Sequence, residues 1–133
     1  MPQINVSPNC GNSPKMQFIR DLNIAFAEKN LENILTCVTD DIVWDIVGDR
    51  HIEGKSAFSD ALQIMNSADV TAITIETIIT HGKYGSADGI IDLKDGSQVA
   101  FSDVYRFTSV TGKKIKLIKS FNIALQSPSE QTN

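Results

Sequence analysis

The sequence predicts an α+β protein in which helices come first and an antiparallel sheet follows. Apolar residues recur at helical spacing in three segments before residue 66, and from Val70 onward the composition becomes β-branched with strand-like alternation. Helices that are segregated in this way from consecutive strands indicate an α+β arrangement rather than a doubly wound sheet. The length of 133 residues fits a single domain.

Three helices are predicted. Ser13 and Pro14 form a helix start, because Ser is a good N-cap and Pro at the first helical position lacks an N–H that would be unpaired there in any case. Asn30 can cap a second, short helix, and a third is expected after Gly54. Their apolar faces consist of Met16, Ile19, Leu22 and Phe26 in the first, Leu31, Ile34, Leu35 and Val38 in the second, and Phe58, Leu62 and Met65 in the third.

Five strands are predicted. The β-branched and aromatic segment 42–47 is a strand, and 48–54, between two glycines, is a loop. Four antiparallel strands follow over 70–80, 84–93, 99–107 and 114–125. Residues 1–13 and 127–133 are polar and aperiodic, so we expect flexible tails on either side of a folded domain of residues 14–126.

Composition and charge exclude several classes of function. No apolar run approaches the ~20 residues that span a bilayer, and a net charge of −4 provides no basic face for nucleic acid. Cys10 and Cys37 form neither a disulfide framework nor a metal-ligand spacing. The sequence also lacks the glycine-rich, P-loop and zinc-protease motifs. We therefore expect a cytoplasmic protein that takes no metal or cofactor and binds neither nucleic acid nor membrane.

Two aspartates interrupt apolar strands, and they are the candidate catalytic residues. Alternation places Asp103 on the same face as Phe101, Tyr105 and Phe107. Burial raises the pKa of an unpaired carboxyl, and a raised pKa suits a general acid or a neutral hydrogen-bond donor near pH 7. A structural role, in which Asp103 pairs with a basic residue or faces solvent, is equally compatible with the sequence.

The second candidate, Asp45, has the opposite parity from Trp44. If the helices pack on the Trp44 side, Asp45 points away from them, and a catalytic role then requires a bulge or an early end to the strand. His51 lies in the predicted loop 48–54, which could overhang a pocket. A structural role for His51 is the alternative.

The segment Asp40-Asp41-Ile42-Val43-Trp44-Asp45-Ile46-Val47-Gly48, followed by Gly54 and a helix, resembles the nuclear transport factor 2-like superfamily. About residues 14–125 follow that plan. The resemblance implies a cystatin-like α+β roll, with three helices packed in a strongly curved antiparallel sheet that forms a conical cavity, and a homodimer through the outer sheet face. The superfamily includes SnoaL-type polyketide cyclases, ketosteroid isomerases, scytalone dehydratase, limonene epoxide hydrolase and non-enzymatic domains, so the fold alone does not fix the function.

Among these enzymes, the residues are most similar to those of ketosteroid isomerase. Asp45-Ile46-Val47-Gly48 resembles the segment with its catalytic base, and Asp103-Val104-Tyr105-Arg106-Phe107 resembles the strand that opens with its oxyanion-binding aspartate. Leu22 stands where the isomerase has its oxyanion tyrosine, and Tyr105 is a substitute donor. SnoaL-type cyclases use one aspartate as both acid and base, a role that Asp103 could supply.

The resemblance implies a pocket for a small apolar molecule and an isomerase, cyclase or dehydratase that needs no cofactor. In that reading Asp45 or Asp103 removes a proton α to a carbonyl, and the other acid or Tyr105 stabilises the enolate. The alternative is a non-catalytic ligand-binding or dimerisation module of the same fold, with structural aspartates. The expected substrate contacts are Trp44, Phe101, Tyr105, Phe121 and His51.

Overall fold

The computed structural model describes residues 2–65 and 69–125, and within them it has three helices and seven strands. In chain order these are β1 (Gln3–Val6), α1 (Pro14–Ala27), α2 (Leu31–Thr36), β2 (Val38–Ile46), β3 (Arg50–Glu53), α3 (Lys55–Met65), β4 (Val70–His81), β5 (Tyr84–Leu93), β6 (Gln98–Phe107) and β7 (Ile115–Leu125). The predicted α+β class and its helices are confirmed. None of the described helices is both long enough and apolar enough to cross a membrane.

The strands form one curved sheet in the order β1-β4-β5-β6-β7-β2-β3. Strands β4, β5, β6 and β7 are antiparallel to one another, as predicted. The sheet as a whole is mixed rather than antiparallel, because β1 pairs parallel with β4 and β2 pairs parallel with β7. Parallel pairs need a crossover connection, and the helices lie in those connections. The register shifts between Ile75 and Thr77 in β4, which is a bulge that bends the strand.

The first two helices begin at the predicted caps. The Ser13 side chain accepts a hydrogen bond from the backbone N–H of Met16 at 3.2 Å, and the Asn30 side chain accepts one from Asn33 at 3.2 Å. Helix α2 ends earlier than predicted, at Thr36. Val38 is therefore not part of its apolar face but the first residue of β2, where it is buried and pairs with β7.

The predicted flexible tail over 1–13 contains a strand. Residues 3–6 form β1 at the edge of the sheet, Ile4 and Val6 pack against the core, and Cys10 is buried. The polar composition of the segment concealed this strand, because its partner β4 lies about 70 residues away in the sequence. The predicted tail over 127–133 lies outside the described residues.

The predicted loop 48–54 also contains a strand. Strand β3 pairs antiparallel with β2, with His51 opposite Asp45. Gly48 and Gly54, which bound the segment, have φ values of 82° and 92°, in the left-handed region that favours glycine. The turns are thus where the glycines predict them, and a short hairpin lies between them.

The helices pack on one face of the sheet and bury a single hydrophobic core. Helix α1 lies against β4 and β5, and α3 lies against β2 and β3. Gly89 allows the bulged part of β4 to approach β5 closely, since a Cβ at this position would collide with the carbonyl oxygen of Thr74. The fully buried side chains include Leu22, Ile42, Phe58, Ile75, Tyr105 and Ile118.

Candidate functional site

A pocket of about 340 Å³ lies between the helices and the inner face of the sheet. Its size is at the lower end of the range for small-molecule sites. Apolar side chains make up most of its wall, and the polar groups are few. The lining residues are Asn23, Phe26, Ala27, Lys29, Trp44, Leu62, Met65, Val70, Ile73, Ile91, Leu93, Val99, Phe101, Asp103, Ile118, Ser120 and Asn122.

Asp103 places a carboxyl group in this apolar wall. It lies on the inner face of β6 with Phe101, Tyr105 and Phe107, as the alternation predicts. Burial disfavours the charged form and raises the pKa of Asp103 to about 6, while hydrogen bonds from Ser120 and Tyr105 act in the opposite direction. Loss of water therefore outweighs the two hydrogen bonds.

One side of the carboxyl is supported by Tyr105 and Asn23. The Tyr105 hydroxyl lies 3.4 Å from Oδ2 of Asp103 and 3.0 Å from Nδ2 of Asn23. The same Nδ2 donates to the backbone carbonyl of Ile19 at 2.9 Å. Because a carbonyl oxygen can only accept, the amide nitrogen must face it, and the Tyr105 oxygen then accepts from Asn23. The Tyr105 proton is left to be donated to Asp103.

The other side is supported by Ser120 and Trp44. Nε1 of Trp44 donates to the Ser120 hydroxyl at 2.9 Å. An indole N–H is only a donor, so the Ser120 oxygen accepts from Trp44 and its own proton is directed to Asp103. Ser120 is the register partner of Asp103 on β7, so neighbouring strands fix the two side chains together.

Both branches therefore direct hydroxyl protons at one carboxylate. Such a group is mostly ionised at pH 7 and protonated below about pH 6. It can take a proton from a molecule in the pocket and return it, which is general base and general acid chemistry on one side chain.

The structure does not bring the two candidate aspartates together. Trp44 lies on the inner face of β2 and lines the pocket, so Asp45 is on the opposite face. There it is opposite His51 on β3 and Lys119 on β7. Asp45, the second predicted catalytic residue, therefore lies outside this pocket, and β2 has no bulge at Asp45 that would turn the side chain inward.

Two of the five predicted substrate contacts line the pocket, namely Trp44 and Phe101. Tyr105 is fully buried behind the pocket wall, and its hydroxyl donates to Asp103, which lines the pocket. Phe121 and His51, which were also predicted as substrate contacts, do not line this pocket. Phe121 has the opposite parity from Ser120 and is exposed on the outer face of β7, and His51 is exposed on β3, where it contacts Glu53 at 3.1 Å.

Asn23 and Ser120 are functional candidates that the sequence analysis missed. Both are almost fully buried, at 3% and 4% exposure. A signal for Asn23 was present, because it lies four residues after Ile19 and so on the apolar face of α1. Ser120 likewise shares strand parity with the buried Ile118.

Within residues 2–65 and 69–125, no group of three His, Cys, Asp or Glu side chains lies close enough to hold a metal ion. The polar groups of the pocket are amide, hydroxyl, ammonium and carboxyl groups.

Comparison with known proteins gives a family match and several similar folds. The family model for a SnoaL-like domain matches residues 19–118. A nuclear transport factor 2-like protein of unknown function from Cytophaga hutchinsonii is 23% identical, with a TM-score of 0.59, over 80% of this chain and 97% of that one. No curated protein matches the sequence.

Two further solved structures are similar in fold. A candidate ketosteroid isomerase from Kribbella flavida is 12% identical, with a TM-score of 0.71, over 84% of this chain and 79% of that one. An LEH-like epoxide hydrolase from M. tuberculosis is 18% identical, with a TM-score of 0.66, over 80% of each chain. At these identities the likeness shows the fold alone.

Proposed function

This chain belongs to the SnoaL-like domain family, and from that premise we propose that it is a cofactor-independent enzyme of the isomerase or cyclase type. Its substrate is a small, mostly apolar carbonyl compound, and Asp103 is its general base and general acid. The observation that carries the proposal is a carboxyl in an apolar pocket, with a pKa raised to about 6 and two hydroxyl groups directed at it.

The proposed reaction moves a proton within one molecule. The ionised Asp103 removes a proton from the carbon next to the carbonyl, and the protonated carboxyl then returns a proton to another atom of the same intermediate. Ser120 and Tyr105 hold the Asp103 side chain in place through both transfers. The apolar wall limits access of water to the intermediate.

The negative charge that develops on the substrate oxygen needs a donor. The resemblance to ketosteroid isomerase implies the second acid or Tyr105 in this role, but Asp45 is on the other face and the Tyr105 proton is directed at Asp103. We assign the role to the side-chain amide of Asn122, which lines the pocket two residues beyond Ser120 on β7.

Deuterium exchange tests the proposal without knowledge of the natural substrate. The full chain is incubated in D2O with a panel of cyclic ketones and β-keto esters, and loss of the α-proton signal is followed by NMR. We expect the wild type to accelerate exchange of at least one compound, and Asp103→Asn to lose about 10²-fold or more of that rate. Asp45→Asn, the matched aspartate on the outer face, should keep it.

Two results would overturn the proposal. One is an Asp103→Asn variant that exchanges as fast as the wild type. The other is a wild type that binds panel compounds in the pocket and accelerates none of them, which would make the chain the non-catalytic ligand-binding module of the same fold.

We also propose that the chain forms a homodimer through the outer face of the sheet. Support comes from exposed apolar side chains on the outer faces of β6 and β7, namely Val104, Phe121, Ile123 and Leu125. An apolar patch of this kind can meet its own copy across a twofold axis.

We also propose that the protein is located in the cytoplasm. This proposal is supported by Cys10 and Cys37, both free thiols.

A further inference from the structure

We propose that the substrate of this pocket carries a hydroxyl group, and that Asn23 selects for it by accepting a hydrogen bond from that hydroxyl. The inference rests on the proposed function, since it names the substrate class of the same pocket. It is carried by the direction of the hydrogen bonds at the buried end of the pocket.

The orientation of the Asn23 amide is the first step. Its two N–H groups are used by the Ile19 carbonyl at 2.9 Å and the Tyr105 hydroxyl at 3.0 Å. The amide oxygen is therefore on the other side of the group, and no donor from residues 2–65 or 69–125 is bonded to it. Asn23 is 3% exposed and lines the pocket. Among the described residues, the buried side-chain atoms without a partner are Thr39 Oγ1 and Arg106 Nε, so the Asn23 oxygen is accessible from the pocket, where a ligand donor can bind it.

The neighbouring donors are the second step. The protons of Tyr105 and Ser120 are directed at Asp103, and the indole N–H of Trp44 is directed at Ser120. What this end of the pocket offers a ligand is therefore acceptors, namely the Asn23 oxygen and the Asp103 carboxylate. An ether or ketone oxygen placed there would meet only lone pairs, whereas a hydroxyl group would find partners.

The exposed polar residues of the wall complete the orientation. Asn122 and Lys29 line the pocket, are exposed, and both carry N–H donors. A hydroxy-carbonyl compound therefore fits with its hydroxyl group at Asn23 and Asp103 and its carbonyl oxygen at Asn122 or Lys29. β-Hydroxy ketones and phenolic ketones have this arrangement of groups.

A pair of matched probes tests the inference on the full chain. 2-Naphthol and 2-methoxynaphthalene share one ring system, but only the first has an O–H donor. In a purely apolar pocket the methoxy compound would bind at least as well, because it is the less polar of the two. We expect calorimetry to show that the wild type binds 2-naphthol about tenfold more tightly than 2-methoxynaphthalene. Equal or tighter binding of 2-methoxynaphthalene to the wild type would overturn the inference.

Variants locate the preference. Asn23→Leu should reduce the preference for 2-naphthol to about threefold or less, because Asp103 remains as an acceptor. The affinity of this variant for 2-methoxynaphthalene should stay within about twofold of the wild-type affinity. Tyr105→Phe, which keeps the Asn23 oxygen in place through Ile19, should retain most of the preference. An unchanged preference in a folded Asn23→Leu protein would rule out selection by Asn23.

The exchange and binding experiments fail independently. A tenfold preference for 2-naphthol, together with panel ketones that bind in the pocket and do not exchange, would support hydroxyl selection and overturn the enzymatic proposal. Ketone exchange without a preference for 2-naphthol would support the enzymatic proposal and overturn hydroxyl selection.

Discussion

The pKa of the Asp103 carboxyl is set by burial, which raises it, and by two hydrogen bonds, which lower it by a smaller amount. Ser120 donates to the carboxylate and so lowers the pKa, against the larger effect of burial. Ser120→Ala should therefore raise the pKa of Asp103 above its value of about 6. Carbon-13 NMR of the labelled carboxyl measures this directly. The control is Ser102→Ala, which changes a serine on the outer face of β6, the strand that carries Asp103. An Asp103 carboxyl that titrates identically in both variants would contradict the hydrogen bond assigned to Ser120.

The same carboxyl makes the stability of the fold depend on pH. The folded pKa of about 6 lies above the value of about 3.9 in an unfolded chain, so between these values the folded state binds more protons. The contribution of Asp103 to the free energy of unfolding is therefore present below about pH 4 and is lost as the pH rises through 6. Its size is roughly 2–3 kcal/mol.

Asp103→Asn should remove this dependence. Relative to the wild type, the variant should gain roughly 2–3 kcal/mol in unfolding free energy between about pH 4 and about pH 7.5, because the other carboxyl groups titrate alike in both proteins. Urea unfolding at the two pH values measures the difference. Asp45→Asn should follow the wild type, and parallel curves for Asp103→Asn would show that its carboxyl is not held in the neutral form by burial.

At the residue scale, strand parity is what the sequence predicts best. It places Asp103 inward and separates Asp45 from Trp44, because alternation is a geometric property of a strand. Which face is inner depends on where the helices pack, so the orientation of Asp45 could not be decided from the sequence. Phe121 was misplaced because β7 carries large apolar side chains on both faces.

At the scale of elements, the close contact between β4 and β5 depends on Gly89. A Cβ there would collide with the Thr74 carbonyl oxygen, a backbone atom that cannot rotate away, and would lie 3.0 Å from the Phe101 ring. Gly89→Ala should therefore cost about 2 kcal/mol or more in unfolding free energy, measured by urea denaturation. Ser86→Ala on the same strand should cost much less. A Gly89→Ala protein as stable as that control would mean that the bulge is not rigid.

The elements that could not be predicted are the short edge strands. Strand β1 has four residues in a polar segment, and β3 has the sequence Arg-His-Ile-Glu, which has little β-propensity of its own. Both exist because a longer neighbour, β4 or β2, offers an unpaired edge. Information about that edge is not local, whereas the long strands and the capped helices carry their signals within their own residues.

At the scale of the whole molecule, the outer face of the sheet determines the proposed assembly. Phe121→Glu combined with Ile123→Glu should convert a dimer into a monomer. In a twofold apolar interface each new carboxylate would be buried close to the like-charged carboxylates of the second copy. Sedimentation velocity measures the mass. Val110→Glu, an exposed residue after β6, is the control. A monomeric wild type at high concentration would contradict the proposed dimer.

The overall arrangement of helices and sheet was predictable, and the strand order was not. Element types follow from periodicity, which each segment carries alone. The parallel pairing of β2 with β7 joins segments about 75 residues apart and is decided by packing of the whole chain. The site could be predicted in part. Asp103 was identified from the sequence, but its supporting residues Asn23 and Ser120 come from distant elements.

Trp44 gives the protein an intrinsic optical reporter. It is the one tryptophan in the chain, it lines the pocket, and its ring packs edge-on against Phe58 with centroids 5.2 Å apart. Indole emission responds to the polarity and hydrogen bonding of its surroundings, and the Trp44 N–H donates to the hydroxyl that in turn serves Asp103. We therefore expect both ligand binding in the pocket and ionisation of Asp103 to change the fluorescence of unlabelled protein, so a substrate search can begin as a spectroscopic titration.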